Sequence, residues 1–358
     1  MKKLGIILLL LATLSLPSFA QHKTQNIVIV TMDGMRWQEV FGGVDSAILS
    51  NRKFAKDSAS IVKNFGGAEA GERRQKLFPF LWGTVVEQGQ LYGNRNEGSL
   101  VNVTNRYWFS YPGYNEIFTG YADSAINTNN KVLNPNENVL EFINKQKDYR
   151  GKVAAFSTWD CFPYILNKWR SGIYVNSDID TIKLNDASLK LINDIQLLTA
   201  KPIDVRPDVL TYFAGREYLK AYKPKVLYIA FDETDDYAHA GLYGQYIKSA
   251  HAEDAMLADL WQTIQSMPGY KNNTTLIITC DHGRGDKVKE QWTSHGAKIE
   301  GADQIWIAAI GPDTKPLGEI KDNAQIYQRQ LASTFAALLG LDFTTPHTTM
   351  NPINSIIK

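Results

Sequence analysis

Apolar residues recur along the chain in short runs that are nearly continuous rather than alternating with polar positions. Runs of this kind are typical of strands buried on both faces, as in a parallel sheet. The predicted strands are 26–32, 152–157, 225–231, 274–280 and 304–311. Between them, apolar residues recur at helical spacing in three segments, 136–146, 243–265 and 326–341. This alternation predicts an α/β fold with a doubly wound, mostly parallel central sheet and helices on both faces.

The pattern contains no internal repeat and no low-complexity linker, so we expect residues 21–358 to form a single domain. A polar segment from about 45 to 75, rich in Lys, Arg, Ala and Gly, interrupts the pattern after the first strand. We interpret it as an insertion, with a lid over a site as one role for it.

The first twenty residues have the pattern of an export signal. A basic start, MKK, is followed by the apolar core LGIILLLLATLSL and by small residues before Gln21. The apolar core is shorter than the roughly 20 residues that a membrane span needs. We therefore expect residues 1–20 to be a cleaved signal peptide and the protein to be periplasmic or secreted, with no stable membrane anchor.

Charge and cysteine content argue against two classes of protein, bulk nucleic-acid binders and disulfide-rich domains. The chain has 38 basic and 37 acidic residues, and removal of Lys2 and Lys3 with the signal peptide leaves a formal charge of −1. A near-neutral chain argues against bulk nucleic-acid binding. Two cysteines cannot form a disulfide framework. Cys161 and Cys280 either pair with each other or remain buried free thiols.

Polar residues with metal-binding capacity follow three of the predicted strands. Each of these strands is followed by an aspartate: Asp33, Asp232 and Asp281. One such aspartate alone is usually a turn or N-cap residue. Here His239 follows the second, and His282 and His295 follow the third, in a chain with six histidines. Since sites form at the carboxyl ends of parallel strands, the group predicts a metal site.

The segment NRYWFSYPGYNEIFTG, residues 105–120, places Ser110 two residues before Pro112. Proline is well placed in the first turn of a helix, so we expect a helix to begin near Ser110. The serine is either an ordinary N-cap or a nucleophile, because the potential at a helix N-terminus favours an alkoxide and attracts a phosphate. The local pattern alone favours the N-cap.

Together and in this order, these segments resemble the alkaline phosphatase superfamily, especially its nucleotide pyrophosphatase/phosphodiesterase and sulfatase-like branches. IVIVTMDGMR resembles the first strand with its metal-binding Asp, and SYPGYNEIFTG resembles the nucleophile motif. CDHGRG, followed by SHG, resembles the paired later ligands and the closing histidine. The resemblance implies a metal-dependent phosphoester hydrolase with two divalent cations and a small-molecule phosphoester substrate, and the signal pattern of residues 1–20 adds the expectation of export.

The resemblance also implies roles for particular residues. Ser110 would be the nucleophile, and Asn115 would donate to a non-bridging phosphate oxygen or lie on the helix surface. One cation would contact the Ser110 oxygen and would be held by Asp33, Asp281 and His282.

The second cation would be held by Asp232, His295 and either Asp236 or His239. The family commonly has Asp-x-x-x-His in this stretch, and counting from Asp232 places Asp236 where the histidine would stand. The expected metal is Zn²⁺, with Mn²⁺ or Ca²⁺ as alternatives if Asp236 is a ligand.

Two departures from family patterns bear on the substrate. The sulfatase motif has Arg four residues after the nucleophile, where this chain has Tyr114. One monoesterase branch has Lys-x-Arg after the following strand, where this chain has Trp159 and Cys161. The missing basic pair favours a diester or pyrophosphate bond, whose phosphorus carries less charge. A basic contact from elsewhere would keep a phosphomonoesterase as the alternative, from Arg36, Arg106 or Arg284.

A sulfatase ranks lower because Tyr114 stands where the sulfatase motif has Arg, and a non-catalytic binding relative ranks lower because each predicted site position holds a competent residue.

Overall fold

The computed structural model describes residues 23–201, 204–322 and 325–357, and the predicted signal peptide lies outside them. The strands among these residues are β1 (Asn26–Met32), β2 (Gln90–Tyr92), β3 (Leu100–Asn102), β4 (Val153–Ser157), β5 (Tyr174–Ser177), β6 (Val226–Phe231), β7 (Thr274–Thr279), β8 (Ile307–Ile310), β9 (Gly318–Glu319) and β10 (Gln325–Tyr327).

The α-helices in the same ranges are α1 (Trp37–Gly42), α2 (Ser46–Ser50), α3 (Ser58–Phe65), α4 (Ala70–Leu77), α5 (Val86–Gln88), α6 (Ser110–Thr119), α7 (Val139–Lys145), α8 (Phe162–Ile165), α9 (Lys168–Ser171), α10 (Ala187–Leu198), α11 (Asp208–Tyr222), α12 (Glu233–His239), α13 (Tyr243–Ser266) and α14 (Leu331–Leu338). No helix in the described part of the chain is both long and apolar enough to span a membrane.

Eight strands form the central sheet in the order β5-β4-β6-β1-β7-β8-β2-β9, and β3 pairs with β10 in a separate ribbon. The middle of the sheet, from β5 to β7, is parallel. Every residue of β1, β6 and β7 is buried, as their continuous apolar sequences predict. The predicted fold class, a mostly parallel sheet surrounded by helices, is confirmed.

Two predicted elements differ from the structure. The run 304–311 contributes only Ile307–Ile310, and this strand pairs with β7 in the antiparallel direction. No crossover helix separates β7 from β8, so the chain returns at the same edge of the sheet, which gives an antiparallel neighbour. The predicted helix 326–341 is also shorter, because its first residues belong to β10 and to a 3₁₀ turn.

The register of the sheet brings the strand-end residues together. Met32 of β1 pairs with Phe231 of β6, so Asp33 and Asp232 leave the sheet side by side. On the other side of β1, Thr31 pairs with Thr279, which brings Cys280 and Asp281 to the same edge. Both Cys161 and Cys280 are buried free thiols.

The segment 45–75 is folded rather than extended. It forms α2, α3 and most of α4, which pack against α13. Ile48, Ile61 and Phe65 are buried there. None of its described residues lines the cavity at the carboxyl edge of the sheet, and a lid role for it stays a prediction.

Candidate active site

A cavity of about 500 Å³ lies where β4, β5 and β6 end and where α6 and α12 begin. Acidic and histidine side chains dominate its wall. The lining residues are Ser110, Asn129, Trp159, Asp160, Asp178, Asp204, Val205, Asp232, Asp235, Asp236, His239 and His295.

Ser110 is the first residue of α6, and the N-cap is Phe109, which makes no side-chain capping bond. Ser110 is therefore not the N-cap of this helix, contrary to the local pattern. Its hydroxyl oxygen lies 3.4 Å from His282 Nε2. Trp108, two residues earlier, has a positive φ of 54°, an uncommon conformation for a bulky residue. The backbone therefore turns sharply before the helix and presents Ser110 at the cavity.

The structure brings Asp33, Asp281 and His282 together, and we call them the inner group. His282 Nε2 is 3.4 Å from Asp33 Oδ1 and 3.5 Å from Asp281 Oδ2. Both of these carboxylate oxygens are buried and have no hydrogen-bond partner among the described residues. All three side chains are buried. This group matches the first predicted ligand set.

A second cluster, which we call the outer group, consists of Asp235, His239 and His295. His239 Nε2 is 2.9 Å from His295 Nε2 and 3.1 Å from Asp235 Oδ2. Asp235 Oδ1 is 3.8 Å from His295 Nε2 and 3.7 Å from His282 Nε2, so the outer group lies next to the inner one.

Asp235 was not identified as a site residue from the sequence, although a motif in the sequence pointed to it. Counted from Asp235, the stretch reads Asp-x-x-x-His and ends at His239. Asp232 and Asp236 also line the cavity, but no ion pair among the described residues joins either of them to a histidine. Asp236 Oδ2 is buried without a hydrogen-bond partner in the described structure. Metal-ligand roles for Asp232 and Asp236 stay predictions.

Hydrogen bonds fix the orientation of the carboxylates in the two groups. The Tyr114 hydroxyl donates to Asp33 Oδ2 at 2.7 Å, and the Gly34 N–H donates to Asp281 Oδ1 at 3.1 Å. The guanidinium of Arg284 donates to Asp235. In each inner carboxylate one oxygen is thus engaged, which leaves the other to face His282.

The electrostatics differ between the two groups. Burial and the charge of Asp33 raise the pKa of Asp281 well above its ordinary value. Burial opposes the charging of His282, but Asp281 and Asp33 outweigh it and raise its pKa to about 9. Burial and the positive charge of His282 lower the pKa of His295 to about 2. Burial opposes ionisation of Asp235 too, but Arg284 and His239 hold its pKa well below its usual range.

The two groups fit divalent cations. Buried carboxylate oxygens without donors are costly unless a cation or a proton compensates them, and the inner group has two of them around one imidazole nitrogen. In the outer group, two imidazole nitrogens and a carboxylate oxygen converge. Nitrogen and oxygen ligands of this kind suit Zn²⁺, and a share of carboxylates also admits Mn²⁺.

Asn115 is not brought into the cavity. Its side chain is buried, donates to Tyr121 O at 2.8 Å, and accepts from Asn134 and Asn136. Asn129 lies at the cavity instead, and its side-chain oxygen accepts the Tyr111 N–H at 2.9 Å. No described residue accepts a hydrogen bond from its NH₂ group, which is therefore free to donate. No motif in the sequence pointed to Asn129.

The three arginines considered as replacements for the missing basic pair do not line the cavity. Arg36 is buried and pairs with Asp286 at 2.8 Å and with Glu39 at 3.4 Å. Arg106 stacks over Tyr107 and is exposed. Arg284 is buried and pairs with Asp235. Trp159, by contrast, is half-buried in the cavity wall.

The sequence profile of the type I phosphodiesterase / nucleotide pyrophosphatase family matches residues 50–335. The matched segment contains Ser110, the whole outer group, Asp281 and His282, whereas Asp33 lies before it. The chain belongs to this family, and it is a phosphoester hydrolase of the alkaline phosphatase superfamily. Among curated proteins, no sequence matches the chain.

Solved structures share the fold at low sequence identity. The alkaline phosphatase PafA superposes with a TM-score of 0.62 at 10% identity, covering 94% of this chain and 99% of its own. The lipoteichoic acid synthase LtaP from Listeria monocytogenes gives 0.59 at 15% identity, covering 94% and 76%. A 2-O GAG sulfatase gives 0.58 at 12% identity, covering 93% and 74%. These likenesses establish the fold.

Proposed function

We propose that the protein is an exported phosphodiesterase that uses Ser110 as its nucleophile and two divalent cations, most favourably Zn²⁺. The observation that carries the proposal is the convergence of the Ser110 hydroxyl on the inner group, at 3.4 Å from His282 Nε2. A serine at a helix start, beside two carboxylate oxygens without donors, fits metal-assisted attack on phosphorus.

The inner group would hold one cation and the outer group the other. Bound divalent cations would lower the pKa of a contacting hydroxyl and stabilise negative charge on the attacking and leaving oxygens. We infer that Asp235 and His239 complete the outer set with His295, because these residues make the mutual contacts at 2.9 and 3.1 Å. Asp236 would then lie beside that set, as would Asp232.

Ser110 would form a bond from its Oγ to phosphorus while the bond to the leaving alcohol breaks, and the alcohol would take up a proton. Water would then cleave the bond between phosphorus and Ser110 Oγ in this intermediate, which still carries the second ester group, releasing a phosphate monoester and regenerating the hydroxyl. The Asn129 amide could donate to a non-bridging oxygen of the bound phosphoryl group, since its oxygen is already engaged by Tyr111 N–H.

The cavity wall supports a substrate with one negative charge on its phosphorus group. Outside the inner and outer groups, the wall carries five further carboxylates, and no lysine or arginine is among the described lining residues. A dianionic monoester would lack the basic contacts that such a group requires. The Trp159 ring could pack against a flat or apolar substituent of the second ester group.

The test is a side-by-side assay of an aryl phosphodiester, the matching aryl monoester and an aryl sulfate, before and after chelation. We expect the highest kcat/KM for the diester, loss of turnover on removal of metal, and recovery on adding Zn²⁺. Preference for the monoester would make the protein a phosphatase, and preference for the sulfate would make it a sulfatase. Full turnover by metal-free protein would refute the two-metal mechanism.

Export is proposed from the composition of residues 1–20. Mass spectrometry of the protein isolated from a cell-envelope or culture fraction should find a start near Gln21. An intact Met1 in that fraction would refute cleavage.

A further inference from the structure

Besides Ser110, helix α6 carries a second residue that contacts the inner group, Tyr114. Tyr114 lies four residues after Ser110, one turn along the same face of the helix. It is fully buried, and its hydroxyl donates to Asp33 Oδ2 at 2.7 Å. The same helix therefore presents the proposed nucleophile and holds one of the inner carboxylates.

The hydrogen bond determines which oxygen of Asp33 is free. A phenol is protonated at neutral pH, so towards a carboxylate Tyr114 acts as a donor. It engages Oδ2, and the remaining Oδ1 has no partner among the described residues and lies 3.4 Å from His282 Nε2. A partial rotation of the Asp33 carboxylate would break this bond, whereas a half-turn only exchanges its two equivalent oxygens.

The ring of Tyr114 cannot easily shift. It packs edge-on against Phe162, with ring centroids 4.7 Å apart. The helix is also pressed against the other inner carboxylate residue, since a Cβ on Gly113 would lie 2.5 Å from the Asp281 carbonyl oxygen. Helix α6 is thus held against both Asp33 and Asp281.

We propose that Tyr114 is a positioning residue that orients Asp33 for the inner cation. Because Ser110 and Tyr114 lie on the same helix, the hydrogen bond to Asp33 also fixes the position of Ser110 relative to that cation. The inference rests on the proposed two-metal function. Hydrogen-bond partners of ligating side chains commonly change metal affinity by about 10–100-fold when they are removed.

The experiment compares Tyr114→Phe with Tyr111→Phe. Tyr111 is the matched control, because it lies on the same helix, is also buried, and donates its hydroxyl to Val132 O at 2.6 Å rather than to a carboxylate. Zn²⁺ affinities are measured by competition with a chelating indicator, and unfolding is followed in the presence of chelator.

We expect Tyr114→Phe to weaken one of the two Zn²⁺ affinities by about 10–100-fold, with the other unchanged. Tyr111→Phe should leave both within about threefold, even if it lowers stability as much, because the hydroxyl it removes contacts a backbone carbonyl rather than a ligand. Excess Zn²⁺ should restore most of the kcat of Tyr114→Phe.

Unchanged affinities in Tyr114→Phe, or an equal loss in Tyr111→Phe, would overturn the positioning role while the two-metal function stands. A wild-type protein that binds no Zn²⁺, Mn²⁺ or Ca²⁺ would overturn both.

Discussion

The inner and outer groups contain the same kinds of side chain, carboxylates and imidazoles, in different surroundings. The inner group comes from residues that directly follow β1 and β7, and its three side chains are 0–1% exposed. The outer group comes from helix α12 and from the loop after β7, and the His239 side chain is 45% exposed. The inner group is therefore fixed by the register of the sheet, whereas the outer group depends on a short helix and a loop at the cavity rim.

The difference predicts unequal rigidity and unequal function. Sheet register cannot slip by a residue without turning every side chain to the other face, so the inner ligands are pre-organised. The outer ligands are anchored mainly by the pairing of Asp235 with Arg284. We expect the inner group to position the Ser110 nucleophile. We expect activity to tolerate substitutions in the outer group better than substitutions in the inner group.

The largest effect should come from Ser110→Ala, which removes the group beside the inner ligands. Because the step at phosphorus would have no nucleophile, we expect turnover to fall by at least about a thousandfold. Metal content and the unfolding midpoint should remain near wild type, because Asp33, Asp281 and His282 stay in place and the Ser110 hydroxyl makes only a 3.4 Å contact with His282 among the described residues. Kinetics with an aryl phosphodiester and metal analysis measure both. Near-native turnover would assign Ser110 a purely structural role.

Variants that each remove one proposed ligand compare the two groups directly. Asp281→Asn keeps the shape of the side chain but removes an inner carboxylate, and we expect loss of one metal equivalent and about a 100–1000-fold fall in kcat. His239→Asn removes an outer ligand at the rim, where the other ligands and water can compensate, so the fall should be about 10–30-fold.

Both variants are measured by metal analysis and by kcat at saturating Zn²⁺. A greater loss in His239→Asn than in Asp281→Asn would reverse the ranking of the two groups.

Gly34→Ala should disturb the outer group, although Gly34 directly follows Asp33 of the inner group. Gly34 has a φ of +56°, and a Cβ there would lie 2.6 Å from Asp235 Oδ1 and 2.9 Å from Arg284 Nε. The strained backbone and the displaced ion pair should cost about 1–3 kcal/mol of stability. The affinity for one cation should fall by about tenfold, since a displacement of Asp235 would disturb the outer set first.

Gly71→Ala is the matched control, because it lies within helix α4 and a Cβ there meets nothing within 4 Å. This change should be neutral or slightly stabilising. Chemical unfolding in chelator and Zn²⁺ titration of both variants test the difference. Equal behaviour of the two variants would show that the Asp235–Arg284 pair adjusts freely.

The same contrast explains what could be predicted from the sequence. The bounds of β1 agree with the structure, and those of β6 and β7 agree to within one residue. The aspartates that directly follow these buried runs mark the carboxyl edge of the sheet, and the structure brings Asp33, Asp281 and His282 together there. Short strands such as β2 and β9 carry too few residues for a pattern.

The outer group was predicted less well for a physical reason. In α12 three acidic residues lie within one turn, and only the three-dimensional position of the helix decides which one faces His295. The direction of β8 likewise depends on how the chain returns, and the apolar run does not encode this. Asn129 enters the site through a loop without regular structure, where no periodicity applies.

The last prediction concerns pH, and it separates the two groups without altering a proposed nucleophile. In the metal-free inner group the pKa of His282 is raised to about 9, so near neutral pH it holds a proton that a cation must displace. The free form of the inner group holds at least the His282 proton that the metal-bound form lacks, and a rise in pH therefore favours binding until pH exceeds about 9. Apparent affinity should rise by about tenfold per pH unit for each proton released.

The outer group should respond less. The pKa of His295 is lowered to about 2 and that of Asp235 is held below its usual range, so both are already in their metal-binding forms at neutral pH. Titration of His239→Asn reports mainly the inner site, and titration of Asp281→Asn reports mainly the outer site. Calorimetry between pH 7 and 9, in buffers of different ionisation enthalpy, counts the protons released. A flat affinity for the inner site, or a steeper slope for the outer site, would contradict this difference in protonation.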